Sequence, residues 1–288
     1  MRENIKINLI KSYQVDGGFI VHDCEMLRNI YNAYGVDPKI SCDRRIFDIE
    51  GITHFFQIGV IDLAKKMNIG ENDYVLNPGD GSGAPSRLLT KMFGCKVVGI
   101  DINPDQVNKA RECALLHGVE NNVEYFNQNV EDLDLDKKNF SKAFCNETSC
   151  HWEDKEKAFN NINKHLQKGA LIGFNEWTKG NEGTLNDAYS LIPEFKNLYE
   201  KEIWFQESLD VYKILLESSG FKVIEMSDCT DKIDVRIKAR VKASSYGWDE
   251  YKRVMGDHAV EIGLNYYRGI LKTHYDFLKY AVIIAKKI

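Results

Sequence analysis

The chain has 288 residues, of which 43% are hydrophobic and 28% charged, and its formal net charge is −5. That is the balance of a soluble globular protein with one large domain, or one domain with a sizeable insertion, and the negative charge argues against non-specific nucleic-acid binding. No apolar run approaches the roughly 18 to 20 residues of a membrane span, and the first residues, MRENIKINLIKSYQVDGG, lack the apolar core of a signal peptide, so a cytoplasmic location is expected.

In chain order, residues 1 to about 70 read as largely helical. Strand candidates follow at 73–77, 95–101, 122–127, 140–146, 170–176 and 221–226, with helical patterns at 84–93, 104–117, 153–167 and 207–219. Asn103-Pro104 is a helix entry, and Gly118 and Gly220 sit where helices should stop. Residues 229–276 read as helical again, and the run at 277–288 predicts a last strand with no crossover helix after it, hence antiparallel. This alternation predicts an α/β fold: a Rossmann-like, doubly wound seven-stranded sheet with helical caps at both ends. The expected division is a helical cap at 1–70, a Rossmann-like core at 71–228, a helical active-site insertion at 229–276 and the final core strand at 277–288.

The seven cysteines form no CxxC pair. Their odd number and scatter fit a reduced compartment and packing roles, and no metal site is legible.

The stretch VLNPGDGSGAPS at 75–86 places Gly79, Gly81 and Gly83 between a strand and a helix. Such a loop exposes backbone N–H groups and lets a ligand approach the main chain. Asp101 lies 22 residues beyond Gly79, at the end of the second strand. A carboxylate there can accept both hydroxyls of an adenosine ribose. The loop also satisfies the dinucleotide pattern, so these residues alone leave NAD open beside other adenosine ligands. The polar QNVEDLDL after strand three and the antiparallel last strand favour S-adenosylmethionine.

Taken in order, VLNPGDGSG, GIDINPDQ, QNVEDL, FCNETSCHW and LIGFNEW resemble the class I S-adenosylmethionine-dependent methyltransferases over residues 70–228. The resemblance implies that Gly79, Gly81 and Gly83 line the methionine end of the cofactor. Asp101 and Ile102 would border the ribose, Asn129 and Val130 the adenine, and Asn146 the cofactor from strand four. Asn77 stands where the family carries an acid, with Asp80 as a nearby substitute charge.

The stretch after strand four, ETSCH, is similar to the Glu-x-x-x-His of sterol C-methyltransferases, and Asn146-Glu147-Thr148 to the Asn-Glu-Ser of geranyl diphosphate C-methyltransferases. DIEGITHFFQIGVID at 48–62 resembles the latter family's entry segment. These likenesses imply catalytic roles for Glu147, His151 and His54. They imply aromatic walls from Phe55, Phe56, Trp177, Tyr246 and Trp248, and substrate cations at Arg240 and Arg268. Arg44, Arg45, Arg236, Lys238 and Lys242 are further cations; in VRIKARVKA they would share a face on a strand and spread on a helix. Magnesium would be expected only beside a diphosphate substrate. Without the resemblance, the better reading is that Glu147 is a solvated loop acid and His151 an ordinary helix-entry residue.

The favoured expectation is C-methylation of an isoprenoid alkene in a small-molecule substrate, by a chain that could self-associate as a homo-oligomer. The alternatives are methylation of a small amine or hydroxyl, as in sarcosine/dimethylglycine-type enzymes, a non-catalytic nucleoside-binding role, and an NAD-dependent oxidoreductase.

Overall fold

The computed structural model describes residues 1–12, 24–40, 56–136, 139–188, 191, 202–242, 252, 257–273 and 275–288. Among the described residues the first elements are α1 (Glu3–Ser12), α2 (Cys24–Tyr34) and α3 (Phe56–Lys66). The alternating part is β1 (Tyr74–Pro78), α4 (Ala84–Phe93), β2 (Lys96–Asp101), α5 (Pro104–His117), β3 (Val123–Asn127), β4 (Phe140–Asn146), α6 (Lys155–His165) and β5 (Leu166–Lys179). Then come a short α7 (Leu185–Ala188), α8 (Leu209–Ser218), β6 (Phe221–Asp228), α9 (Thr230–Lys242), α10 (Asp257–Thr273) and β7 (Leu278–Lys287).

Seven strands form one sheet in the order β3-β2-β1-β4-β5-β7-β6. The pairs among β1 to β5 are parallel, and β7 is antiparallel to both its neighbours. The chain turns out of α10 at the carboxyl edge, so β7 starts where β5 ends, with Leu278 opposite Lys179. That entry sets Tyr280 beside Trp177.

Neighbouring strand residues alternate faces. Val75, Val97 and Phe144 join one core with α3, α4 and α5; Leu76, Val98 and Phe174 join the other with α6 and α8. On the second face Phe159, Phe174 and Tyr212 meet at centroid distances of 5.7 to 6.3 Å. Burying each such ring stabilises the fold by about 2 kcal/mol. The helix ends follow local chemistry. Asn103 caps α5 through Asp105 N, Pro104 opens the helix, and Gly118 closes it at φ 65°.

The late helices complete the first core. Ile233 and Ile237 of α9 and Ile270 of α10 are buried in the same cluster as Trp177 and Tyr280. Because 230–242 is a helix, its cations spread. Lys238 pairs with Asp234 one turn away, while Ile233 and Ile237 hold the inner face. The side chains of Arg240 and Lys242 lie outside the described residues.

Candidate active site

A cleft opens at the carboxyl edge of β1, β2 and β4, the edge where parallel α/β sheets place ligands. The loop 79–82, residues 100–103, 128–130 and 146–148, with His151 and Trp152, form its walls. Met1, Leu9 and Ile10 cover it.

The three loop glycines have separate causes. All have positive φ: 73° at Gly79, 57° at Gly81 and 81° at Gly83. A Cβ on Gly79 would stand 1.7 Å from Thr148 Oγ1, and one on Gly83 2.6 Å from Tyr125 Oη. At these two positions a Cβ is excluded by the protein's own side chains; Gly79 still lines the cleft, while Gly83 does not. A Cβ on Gly81 would meet nothing within 4 Å, so that main chain faces open space in the cleft. Asp101, half-buried, accepts from Gly81 N at 2.8 Å and Asn103 N at 2.9 Å. Loss of hydration raises its carboxyl above the usual range, and these amides pull against the rise.

Asn77 does not reach the cleft. It is buried, and its Nδ2 donates to Asp80 Oδ1 at 2.7 Å and Ser86 Oγ at 3.0 Å. The two unusual residues of the loop are thus each other's partners. Asp80 lines the cleft, but burial pushes its carboxyl up to about 8, and its Oδ2 has no hydrogen-bond partner. At the far end Ile102, Asn129 and Val130 line the cleft. Asn129 Oδ1 caps the following turn through Glu131 N at 3.0 Å.

The other end is built on the turn after β4. Glu147 has φ 54°, a conformation uncommon for a side-chain-bearing residue and a frequent mark of a functional position. Its carboxylate accepts from Tyr280 Oη at 2.9 Å and Trp177 Nε1 at 3.2 Å. Trp177, expected as a substrate wall, is instead buried behind Glu147 and meets Tyr280 edge to face at 4.7 Å.

Glu176 anchors the turn from below. Fully buried, it accepts from Ser149 N at 2.6 Å, Ser149 Oγ at 2.5 Å and Trp177 N at 2.9 Å, and Ser149 Oγ lies 2.7 Å from Tyr212 Oη. Burial raises the Glu176 carboxyl, against the pull of the Ser149 hydroxyl. His151 lines the cleft, with Nδ1 2.9 Å from the carbonyl of Ile203 and its ring 4.6 Å from that of Trp204. A carbonyl can only accept, so Nδ1 carries the hydrogen. Burial lowers the His151 pKa to about 4, which leaves the ring neutral near pH 7 with its acceptor lone pair on Nε2.

The structure therefore gathers Gly79, Gly81, Asp101, Ile102, Asn129, Val130, Asn146, Glu147 and His151 along one cleft. His54, Phe55, Tyr246 and Trp248 lie outside the described residues, as do Arg44, Arg45 and the side chain of Phe56. Arg268 does not line the cleft: it is exposed and donates to Asn265 of its own helix at 3.1 Å. Sequence reading missed Tyr280, Glu176 and Asn175, whereas the covering α1 falls in the helical cap expected at 1–70. Tyr280 comes from the last strand with no local motif to mark it, and Asn175 and Glu176 lie in LIGFNEW, whose pattern does not say which side chains reach the site. Among the described residues no cluster of His, Cys, Asp or Glu could hold a metal ion. No helix there is long and apolar enough to cross a membrane.

Residues 76–174 match the family model of a methyltransferase domain. Over that third of its length the chain is similar to a methyltransferase domain. The match spans the glycine loop, Asp101, Asn129 and the Glu147 turn of that domain. The sterol 24-C-methyltransferase of Kluyveromyces lactis is 28% identical over 178 residues, 60% of this chain and 46% of that one. The one from Saccharomyces cerevisiae is 28% identical over 177 residues, with 60% and 45% covered. The chain thus spans about half the length of these curated relatives. Two solved structures share the fold. Haemonchus contortus phosphoethanolamine N-methyltransferase 2, in complex with S-adenosyl-L-methionine, matches with a TM-score of 0.73 at 16% identity, covering 98% of this chain and 60% of that one. Streptomyces coelicolor geranyl diphosphate C-methyltransferase matches with a TM-score of 0.65 at 16% identity, covering 99% and 97%.

The cleft of this domain fits an adenosine-type cofactor. The open space at Gly81, the Asp101 carboxylate at the cleft wall and the polar residues 128–129 are the features such a ligand needs.

Proposed function

We propose that the protein transfers a methyl group from S-adenosylmethionine to a small molecule, with an amine or hydroxyl as the acceptor. The observation that carries this reading is the pair of proton acceptors on the Glu147 turn. Among the described residues Glu147 accepts from two neutral donors, Tyr280 and Trp177, and His151 is neutral with its acceptor on Nε2. No Lys or Arg side chain is among the described residues that line the cleft. The bound cofactor would supply a methyl group on a cationic sulfur. Asp101 and the Gly81 main chain would hold its adenosine, and α1 would exclude water. Glu147 or His151 would orient the acceptor N–H or O–H and take its proton as the new bond forms.

The second reading is C-methylation of an isoprenoid alkene, favoured by the names of the curated relatives. Glu147 beside two aromatic rings would also suit a carbocation. A diphosphate substrate, and magnesium with it, finds no support in the cations described. Incubation with methyl-labelled S-adenosylmethionine and a panel of amines, phenols, sterols and prenyl diphosphates separates the readings. Label on nitrogen or oxygen supports the first, label on carbon the second. No cofactor binding at all would sink both.

A further inference from the structure

The hydrogen on His151 Nδ1 is fixed by the carbonyl of Ile203, 2.9 Å away in space and 52 positions along the chain. Whatever holds that carbonyl in place decides which ring nitrogen is left as the acceptor. Ile203 belongs to a segment, 203–207, that runs beside the turn at 149–152. Phe205 N donates to the Cys150 carbonyl at 2.6 Å, and the Trp204 ring lies 4.6 Å from that of His151. The same segment is tied to α7: Asn186 Nδ2 donates to the Trp204 carbonyl at 2.7 Å, and Leu185 N to Gln206 Oε1 at 2.7 Å.

Beyond His151 itself, one described side chain bonds to both the turn and this segment. Lys155 Nζ donates to the carbonyl of Trp152 at 2.9 Å and to that of Phe205. Trp152 follows His151, and Phe205 lies two positions beyond Ile203. The bridge therefore brackets the His151–Ile203 bond. Lys155 is 4% exposed and is the first residue of α6, where neither burial nor the helix dipole favours a cation. Its described partners are carbonyls, not a carboxylate. A lysine placed against both preferences, with no ion pair in return, is explained by what it joins.

We propose that Lys155 is a positioning residue for His151: by bridging Trp152 and Phe205 it holds the Ile203 carbonyl on Nδ1 and so keeps Nε2 as the acceptor at the cleft. The role rests on the reading of His151 as a proton acceptor given above. It does not require Lys155 to touch substrate or cofactor.

The tautomer of His151 reports the bridge without any acceptor molecule. Nitrogen-15 NMR of the full chain near neutral pH reads it from the shifts of the two ring nitrogens, and the His151→Gln spectrum identifies the ring among the seven histidines. The wild type should hold its hydrogen on Nδ1. Lys155→Met keeps an unbranched side chain and removes the donors. The share of rings with hydrogen on Nε2 should then rise about fivefold or more, the range for the loss of one hydrogen bond. Lys155→Arg keeps donors for both carbonyls and should restore the wild-type ratio. An amide spectrum that matches the wild type shows that each variant is folded, and Lys155→Gln serves should Lys155→Met fail that check. An unchanged tautomer ratio in the folded Lys155→Met protein overturns the proposal, since Lys155 would then serve stability alone. So does an arginine variant that behaves like the methionine one. Hydrogen on Nε2 in the wild type is a different result, and it sinks the acceptor reading of His151 itself.

Discussion

Tyr280 on β7 donates its hydroxyl to Glu147, on the turn after β4, across 2.9 Å and 133 positions of sequence. Trp177 donates to the same carboxylate from β5. Glu147 is thus aimed by two rigid strands, not by its own loop. Tyr280→Phe removes one of the described donors and keeps the ring packed on Trp177. Turnover should fall about tenfold or more, as expected for a lost hydrogen bond to a charged group, with S-adenosylhomocysteine affinity within about twofold. Turnover and calorimetry on the same preparation check this; a matching loss of affinity would show that Tyr280 serves the cofactor.

Asn77 and Asp80 make a second prediction, opposite to the one the sequence suggests. An acid at 77 looks like a return to the family pattern. In the structure it would set a second buried carboxyl against Asp80 and Ser86 in place of an amide donor. Asn77→Asp should therefore destabilise the protein by roughly 2 to 4 kcal/mol. Adding Asp80→Asn reverses the donor and acceptor and should recover most of that loss. Urea unfolding of both single variants and the double variant measures the coupling.

Asp80 alone also titrates in a predictable direction. Its folded pKa is raised from 3.8 to about 8, chiefly by burial. The folded state then binds more protons than the unfolded one between those values, so this group's contribution to stability is lost as pH rises from about 4 to about 8. Asp80→Asn should remove that slope. Unfolding free energies at several pH values would show it; an unchanged slope would mean that Asp80 is ionised in the folded protein.

Much of this was legible where the signal was local. The strand at 140–146 and the helices at 84–93 and 104–117 keep the ends read from periodicity, and Asn103-Pro104 and Gly118 mark a helix by their own backbone chemistry. The glycine loop was legible as a motif, yet its reasons were not. Gly79 answers to Thr148 and Gly83 to Tyr125, both distant in sequence. Tyr280 was invisible because its place depends on register: one residue of slip in β7 would turn it to the other face. Glu176, which holds Ser149 and through it Tyr212, looks in sequence like one more acid at the end of a strand. The cations at 235–243 could not be placed without knowing helix from strand.

Arg268 tests the anionic-substrate expectation directly. It is exposed and bonded within its own helix. Arg268→Ala should leave turnover within about twofold and stability within about 0.5 kcal/mol, as surface substitutions do. A tenfold rise in KM would bring Arg268 into substrate binding after all.

His151 gives the last prediction, with the opposite sign to Asp80. Its folded pKa is lowered from 6.5 to about 4, first by burial, with Lys155 acting in the same direction and the Ile203 carbonyl opposing them. Between these values the unfolded chain holds a proton on this ring that the folded one does not. Stability contributed through His151 is therefore intact above about pH 6.5 and declines as pH falls toward 4, by roughly 3 kcal/mol over the window. His151→Gln keeps a polar side chain and cannot titrate. Its unfolding free energy should lack that decline, so the curves for wild type and variant should converge as the pH is lowered from 6.5 to 4.5. The difference in slope should approach one proton. Parallel curves would mean that the folded protein leaves the His151 pKa near its ordinary value, which overturns the lowering by burial.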